Sequence, residues 1–195
     1  MYLYPFLETT NRSGPYELLR LASLGVIGAL VQKVVDAKVI AFLTSTEVVP
    51  LCLHNMEVGC RLSETVEFTD SYLMVATFIV QQILLDNVGL NHVCASAERF
   101  FAVTRSLRIM VAALAEKPSL RLLKSIIRCY LRLSEDPRGV DALRSSLPGM
   151  LTDGTFISCL RDDPTTRGWL DQLLHNVGPR AGGGRGGLDR LNYMP

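Results

Sequence analysis

The hydrophobic positions follow a helical period almost throughout the chain. In residues 118–134, PSLRLLKSIIRCYLRLS, the side chains of Leu122, Leu123, Ile126, Ile127, Tyr130, Leu131 and Leu133 form a wide apolar face. Pro118 and Ser119 stand where a helix start needs them. Arg121, Lys124, Arg128 and Arg132 follow at spacings of three, four and four, so the predicted helix carries all four cations on one side. One side is built to pack. The other is a solvated face or a place for something negative or aromatic. Residues 16–31, YELLRLASLGVIGALV, predict a second strongly apolar helix. Glycine costs a helix interior about 1 kcal/mol, so Gly25 and Gly28 are expected to permit close packing. No alternation of period two occurs, and the fold class is all-α.

The helices recur. Asp36 begins DAKVIAFL, Asp86 begins DNVGLNHV and Asp136 begins DPRGVDAL, at intervals of 50 residues. Aspartate is a preferred N-cap, and each segment continues with an apolar turn or two. Ten residues on, each unit reaches a second element: TEVVPLCL, SAERFFAV and SLPGMLTD. A long amphipathic helix closes each unit, at residues 62–85, 118–134 and 165–177. Short helix, second helix, long helix predicts an armadillo-type helical-repeat solenoid, with a period slightly above the usual 40–47 residues. LYPFL near the start matches VVPLCL, with Pro5 opposite Pro50, so the chain is expected to begin at the second helix of an incomplete unit. Solenoids are normally closed by a capping repeat with a polar outer face. The armadillo-repeat domain is thus placed at 1–177, N-terminally incomplete. Residues 178–195 are expected to form a disordered Gly-rich tail, whose single Arg-Gly-Gly at Arg185 is a weak RNA-binding signal.

Composition narrows the function more by exclusion than by indication. At 195 residues the chain can bury one core, and a net charge of +1 is uninformative. Residues 99–138, however, carry nine cations against three acids, which raises the possibility of an anionic partner. The five cysteines include no C-x-x-C pair and sit mostly in apolar runs, as reduced buried thiols do. The first residues lack the pattern of a secretory signal, and the apolar run at residues 21–33 is too short to cross a bilayer. No membrane association is expected. His54, His92 and His175 lie far apart in sequence without metal-ligand spacing, and no metal or other cofactor is expected. No G-x-S-x-G, P-loop or G-x-G-x-x-G occurs, and Asp162-Asp163 before Pro164 fits a helix N-terminus better than an acid/base pair. No catalytic residue can be named, and the chain is not expected to be an enzyme.

Several long blocks carry a specific likeness. RLASLGVIGALV, TEVVPLCLHNME, VATFIVQQILLDNVGL, RLLKSIIRCYLRLSEDPR and ALRSSLPGMLTDGTF resemble the required-for-cell-differentiation family, the armadillo-repeat (Caf-forty) subunit of the Ccr–Not messenger-RNA deadenylase complex. The resemblance covers about residues 2–177. It implies an all-helical, non-enzymatic adaptor that docks on the large Not scaffold subunit and binds tryptophan-containing or helical regulator peptides. The roles implied are in messenger-RNA decay, deadenylation and translational repression, in the cytoplasm (including mRNA-processing bodies) and the nucleus. By position, the resemblance implies an aromatic-pocket set of Arg99, Pro137 and Arg138. It also implies a peptide groove at Leu18, Gly25, Thr65 and Val66. A basic cleft for RNA or single-stranded nucleic acid is implied at Arg121, and Lys124, Arg128 and Arg132 extend it along the stripe.

The chain departs from the family at several points. Ala97 and Leu18 stand where the family has tyrosine, and an aromatic lost from a stacking pocket costs on the order of 1 kcal/mol. The family's N-terminal layers have no counterpart before Met1. A segment at residues 67–74, EFTDSYLM, interrupts the family's Thr-Val-Ala-Thr-Phe. Eight residues would turn a continuous helix by roughly 80° beyond two full turns. The segment is therefore expected to bulge as a loop or to lengthen the turn before its helix, beside Thr65 and Val66. A nucleic-acid-binding solenoid using the basic face, and a truncated product without a stable fold, remain the alternatives.

Overall fold

Aspartate caps and tight glycine contacts set the corners of the molecule. A computed structural model describes residues 2–9, 11, 13–33, 37–62 and 69–178. Ten α-helices and one 3-10 turn run through them, with no strand among the described residues: α1 (Tyr4–Glu8), α2 (Gly14–Lys33), α3 (Ala37–Thr44), α4 (Val48–Leu62), α5 (Thr69–Leu85), α6 (Asn87–Cys94), α7 (Ala97–Glu116), α8 (Leu120–Leu133), α9 (Pro137–Ser146), the 3-10 turn (Gly149–Leu151) and α10 (Pro164–Val177). At the α5–α6 corner Asp86 accepts the Val88 N–H at 2.7 Å. At the α8–α9 corner Asp136 accepts the Arg138 N–H at 2.9 Å. Three residues after each aspartate comes a glycine. A Cβ on Gly89 would lie 1.9 Å from the Ile83 carbonyl oxygen, and one on Gly139 would lie 2.1 Å from that of Leu133. Each closing helix can therefore turn sharply into the next unit only over a glycine. Asp36, the third member of the aspartate series, lies outside the described residues.

The helices stack in three rows. The short helices α3 and α6 pack together, α1, α4 and α7 form a second row, and α2, α5, α8 and α10 form a third. This is the helical-repeat solenoid expected from the 50-residue period. Core residues alternate between neighbouring rows: Leu43 and Val48, Met56 and Ile79, Leu107 and Tyr130 are all buried. Tyr130 spends its hydroxyl on the Thr104 carbonyl at 3.3 Å. α1 is only five residues long, with Pro5 in its first turn, and packs on α2 and α4.

Three expectations need correction. SLPGMLTD does not form a helix comparable to α4 or α7. Pro148 and Gly149 admit only the 3-10 turn, and Gly154 at φ +87° belongs to a left-handed bend. The segment 67–74 is not a bulge in its described part. Residues 69–74 form the first turns of α5, and Tyr72 and Leu73 are buried. Finally, Gly14–Gln32 is long and apolar enough by composition to cross a membrane, although residues 21–33 alone fall short. In the fold one face of this helix packs on α1 and α5. It also carries a buried ion pair, Arg20 to Glu17 at 2.5 Å, with Arg20 donating to the Thr9 carbonyl at 2.6 Å and lying over the Tyr72 ring.

Candidate functional site

The second and first rows meet in an open cavity of about 630 Å³. It forms because the bend at Thr44–Glu47 and the start of α4 stand away from the start of α7, with the end of α6 between them. Its floor is apolar, from the buried Leu53, Val93 and Val103. Its walls carry Pro50, His54, His92 and Arg99. Ser96 caps α7 by accepting the Arg99 N–H at 3.5 Å, which seats Arg99 on the first turn beside the cavity. Burial holds the His92 imidazole below its ordinary 6.5, and the Arg99 cation lowers it further. Toward one end the wall is acidic. Glu57 accepts from the Ser106 hydroxyl at 2.8 Å and lies 3.6 Å from Arg105. A neutral imidazole, a proline ring and a guanidinium over an apolar floor make a receptacle for a flat aromatic group with a polar edge.

The residues named from the sequence do not all gather there. Arg99 lines the cavity, whereas Pro137 and Arg138 do not. Pro137 opens α9. Arg138 folds back on Asp136, donating at 3.0 and 3.2 Å and holding that carboxyl below its usual range. Ala97 is exposed on the first turn of α7. His54 and His92, far apart in sequence, face the same cavity. The repeat could have found it, because residues 49 and 53 of α4 sit 50 positions before Arg99 and Val103 of α7. Among the described residues no group of three His, Cys, Asp or Glu side chains could hold a metal ion.

The basic stripe of α8 is largely spent inside the chain. Lys124 donates to Asp163 at 3.2 Å, and both Lys124 and Arg128 lie over the Trp169 ring, at 5.4 and 4.9 Å. Arg132 donates to the Leu84 carbonyl at 3.1 Å, to Asn87 at 2.5 Å and to Glu135. The aromatic and negative groups that the stripe was built for are therefore those of α10 and the adjoining corners. Arg121 alone of the four is exposed and makes no hydrogen bond or ion pair among the described residues. Of the groove set, Leu18 is exposed on α2 and nothing lies within 4 Å of a Cβ built on the half-buried Gly25. Thr65 and Val66 lie outside the described residues, as does the tail beyond residue 178.

Comparison with known proteins follows the same boundaries. The profile of the cell differentiation family, Rcd1-like, matches residues 1–177. The chain is 52% identical over 177 residues to "Cell differentiation protein rcd1" of Schizosaccharomyces pombe, covering 91% of this chain and 59% of that protein. It is 51% identical over 176 residues to "Protein CAF40" of Saccharomyces cerevisiae, covering 89% of this chain and 44% of that protein. The chain thus spans about half the length of these curated relatives.

Proposed function

Because the chain belongs to the Rcd1-like cell differentiation family, we propose that it works by binding, as a non-enzymatic adaptor subunit of a Ccr–Not deadenylase complex. In this reading it joins the Not scaffold subunit to regulators of translation and messenger-RNA decay, in the cytoplasm and the nucleus. The observation that carries the reading is the open cavity bounded by Pro50, His54, His92 and Arg99. An indole seated there would stack against the guanidinium and proline faces and bury its rings on Leu53 and Val103. The rigid walls belong to two successive units, so the receptacle exists before the partner arrives and little ordering cost is added on binding. Extended surfaces presented to partners are also how solenoids generally act.

The test is calorimetric titration of the chain with a short tryptophan-containing peptide, beside the same peptide carrying alanine. Saturable binding of the tryptophan peptide alone is expected, weakened roughly tenfold by Arg99→Ala, on the order of 1–2 kcal/mol. Equal binding of both peptides, or an Arg99→Ala variant that folds and binds unchanged, would remove the cavity as the recognition site.

A further inference from the structure

We propose that the partner segment seated in the cavity between α4 and α7 carries a basic residue two positions from its tryptophan, and that Glu57 binds it. The inference rests on reading that cavity as the receptacle for an aromatic side chain. At about 630 Å³ the cavity is not filled by one indole, since about 300–1,000 Å³ accommodates a whole drug-sized ligand. Its shape shows where the rest of a ligand goes. Pro50, His54 and Glu57 follow at spacings of four and three, so they line one stripe of α4. Arg99, Ala102 and Ser106 line the facing stripe of α7. The stripes run side by side in one direction, because Ser106 bonds Glu57 from 49 positions on and Arg99 stands as far in sequence after Pro50.

The result is a trough with two unlike ends. Pro50, His92 and Arg99 make the aromatic end. Glu57 makes the other, about 10 Å further along α4. This carboxylate is anchored. It accepts from the Ser106 hydroxyl at 2.8 Å, and its side chain is only 17% exposed. The Arg105 side chain beside it is 65% exposed and stands 3.6 Å away, beyond ordinary hydrogen-bond length. Arg105 can swing into water, whereas Glu57 is held in the wall. Among the described residues that line the cavity, the carboxylates of Glu47, Glu57 and Glu98 face only the guanidiniums of Arg99 and Arg105. A carboxylate so placed offers a ligand cation a shorter, charge-assisted bond than the one it shares with Arg105.

The length of the trough sets the spacing. In an extended peptide, residues two apart share a face and lie about 7 Å from one another. With an indole between Pro50 and Arg99, the side chain two positions on starts most of the way to Glu57. The long arm of lysine or arginine spans the few ångströms that remain. A carboxylate there would meet a like charge instead, so the trough selects by charge complementarity. The residue in between points away from the wall, and its identity is free. The same reach applies whether the basic residue precedes or follows the tryptophan.

Calorimetric titration of the full chain tests it, with short peptides that share one tryptophan and carry arginine, glycine or glutamate two positions away. The arginine peptide, in whichever order binds better, is expected to bind about fivefold tighter than the glycine peptide at low salt, and the glutamate peptide weakest. The advantage should fade in about 1 M salt. It should also disappear in Glu57→Gln, whose amide oxygen can still accept from Ser106. Arg105→Gln, at an exposed site, should widen the advantage by removing the competing cation. Equal binding of the arginine and glycine peptides, with the tryptophan still required, would overturn this proposal and leave the aromatic reading standing. Tightest binding of the glutamate peptide would overturn it too, by giving that end of the trough to Arg105. An advantage that survives Glu57→Gln would take the cation away from Glu57. Binding that does not require the tryptophan would bring down both readings together.

Discussion

Gly89 and Gly139 show how much of this fold hangs on single positions. Each lies six residues after a carbonyl that a methyl group would strike at about 2 Å. Gly89→Ala is expected to cost about 3 kcal/mol, the upper range for overpacking, because the obstacle is backbone and has no rotamer to yield. Urea denaturation would register the loss as a lower midpoint with an unchanged slope, and a midpoint equal to that of the parent chain would contradict it. The aspartate caps were legible in the sequence as a 50-residue repeat. The glycines three residues on were not, since only the approach of the preceding helix end gives them a reason.

The thiols and His92 make further residue-scale tests. Burial pushes Cys52 and Cys129 up to about 12 and Cys94 up to about 11. In the native protein Ellman's reagent is therefore expected to titrate Cys60 and Cys159 and to reach the other three only after denaturation. Rapid labelling of all five in buffer would show that the core is open. His92 is lowered by burial first and Arg99 second, so Arg99→Gln should raise its titration midpoint only part of the way to 6.5. Between that ordinary value and the lowered one the unfolded chain holds more protons than the folded one. Stability is thus lost as pH falls through the window. Imidazole proton shifts followed by NMR give the midpoint directly, and an unchanged value in the variant would remove Arg99 from the account.

Among the elements, α8 and α10 separate structural from binding roles. The wide apolar face of residues 118–134 was readable from periodicity, and Leu122, Ile126 and Tyr130 are buried as it implied. The side occupied by the cations was readable too. Their partners were not, because Trp169 and Asp163 lie some 40 residues downstream and reach α8 only through the stacking of the third row. Trp169→Ala is expected to destabilise the protein by about 2 kcal/mol, less than a fully buried aromatic costs, since it strips the cover from Lys124 and Arg128. The same variant should bind single-stranded RNA more tightly at low salt, because two cations return to solvent. Filter binding across a salt series beside a thermal melt checks both outcomes. A variant as stable as its parent would show that the cation–ring contacts carry no packing energy.

At the scale of the whole molecule, α2 is the place where the solenoid shows an exposed apolar surface. Its inner face supplies the buried Leu24, Ile27 and Val31. The outer face carries Leu18, Leu19, Val26 and Leu30, all well exposed, with Ala22 and Ala29 between them and no charge in the row. Apolarity on both sides of this helix was plain in the sequence, which is why its amphipathic signal is faint and its composition approaches that of a membrane span. Which half is buried follows only from the packing of α5 and from the Glu17–Arg20 pair on the inner side. A contiguous exposed apolar row of this kind drives association in water. The chain in buffer is expected to sediment as a concentration-dependent mixture, and Val26→Glu with Leu30→Lys should return it to a monomer without lowering its melting temperature. The melt matters as much as the sedimentation, because substitutions at exposed positions such as these change stability little. A monomer at every concentration before substitution would show that the row is too small to associate. A fall in melting temperature after it would show that the face is already packed in solution.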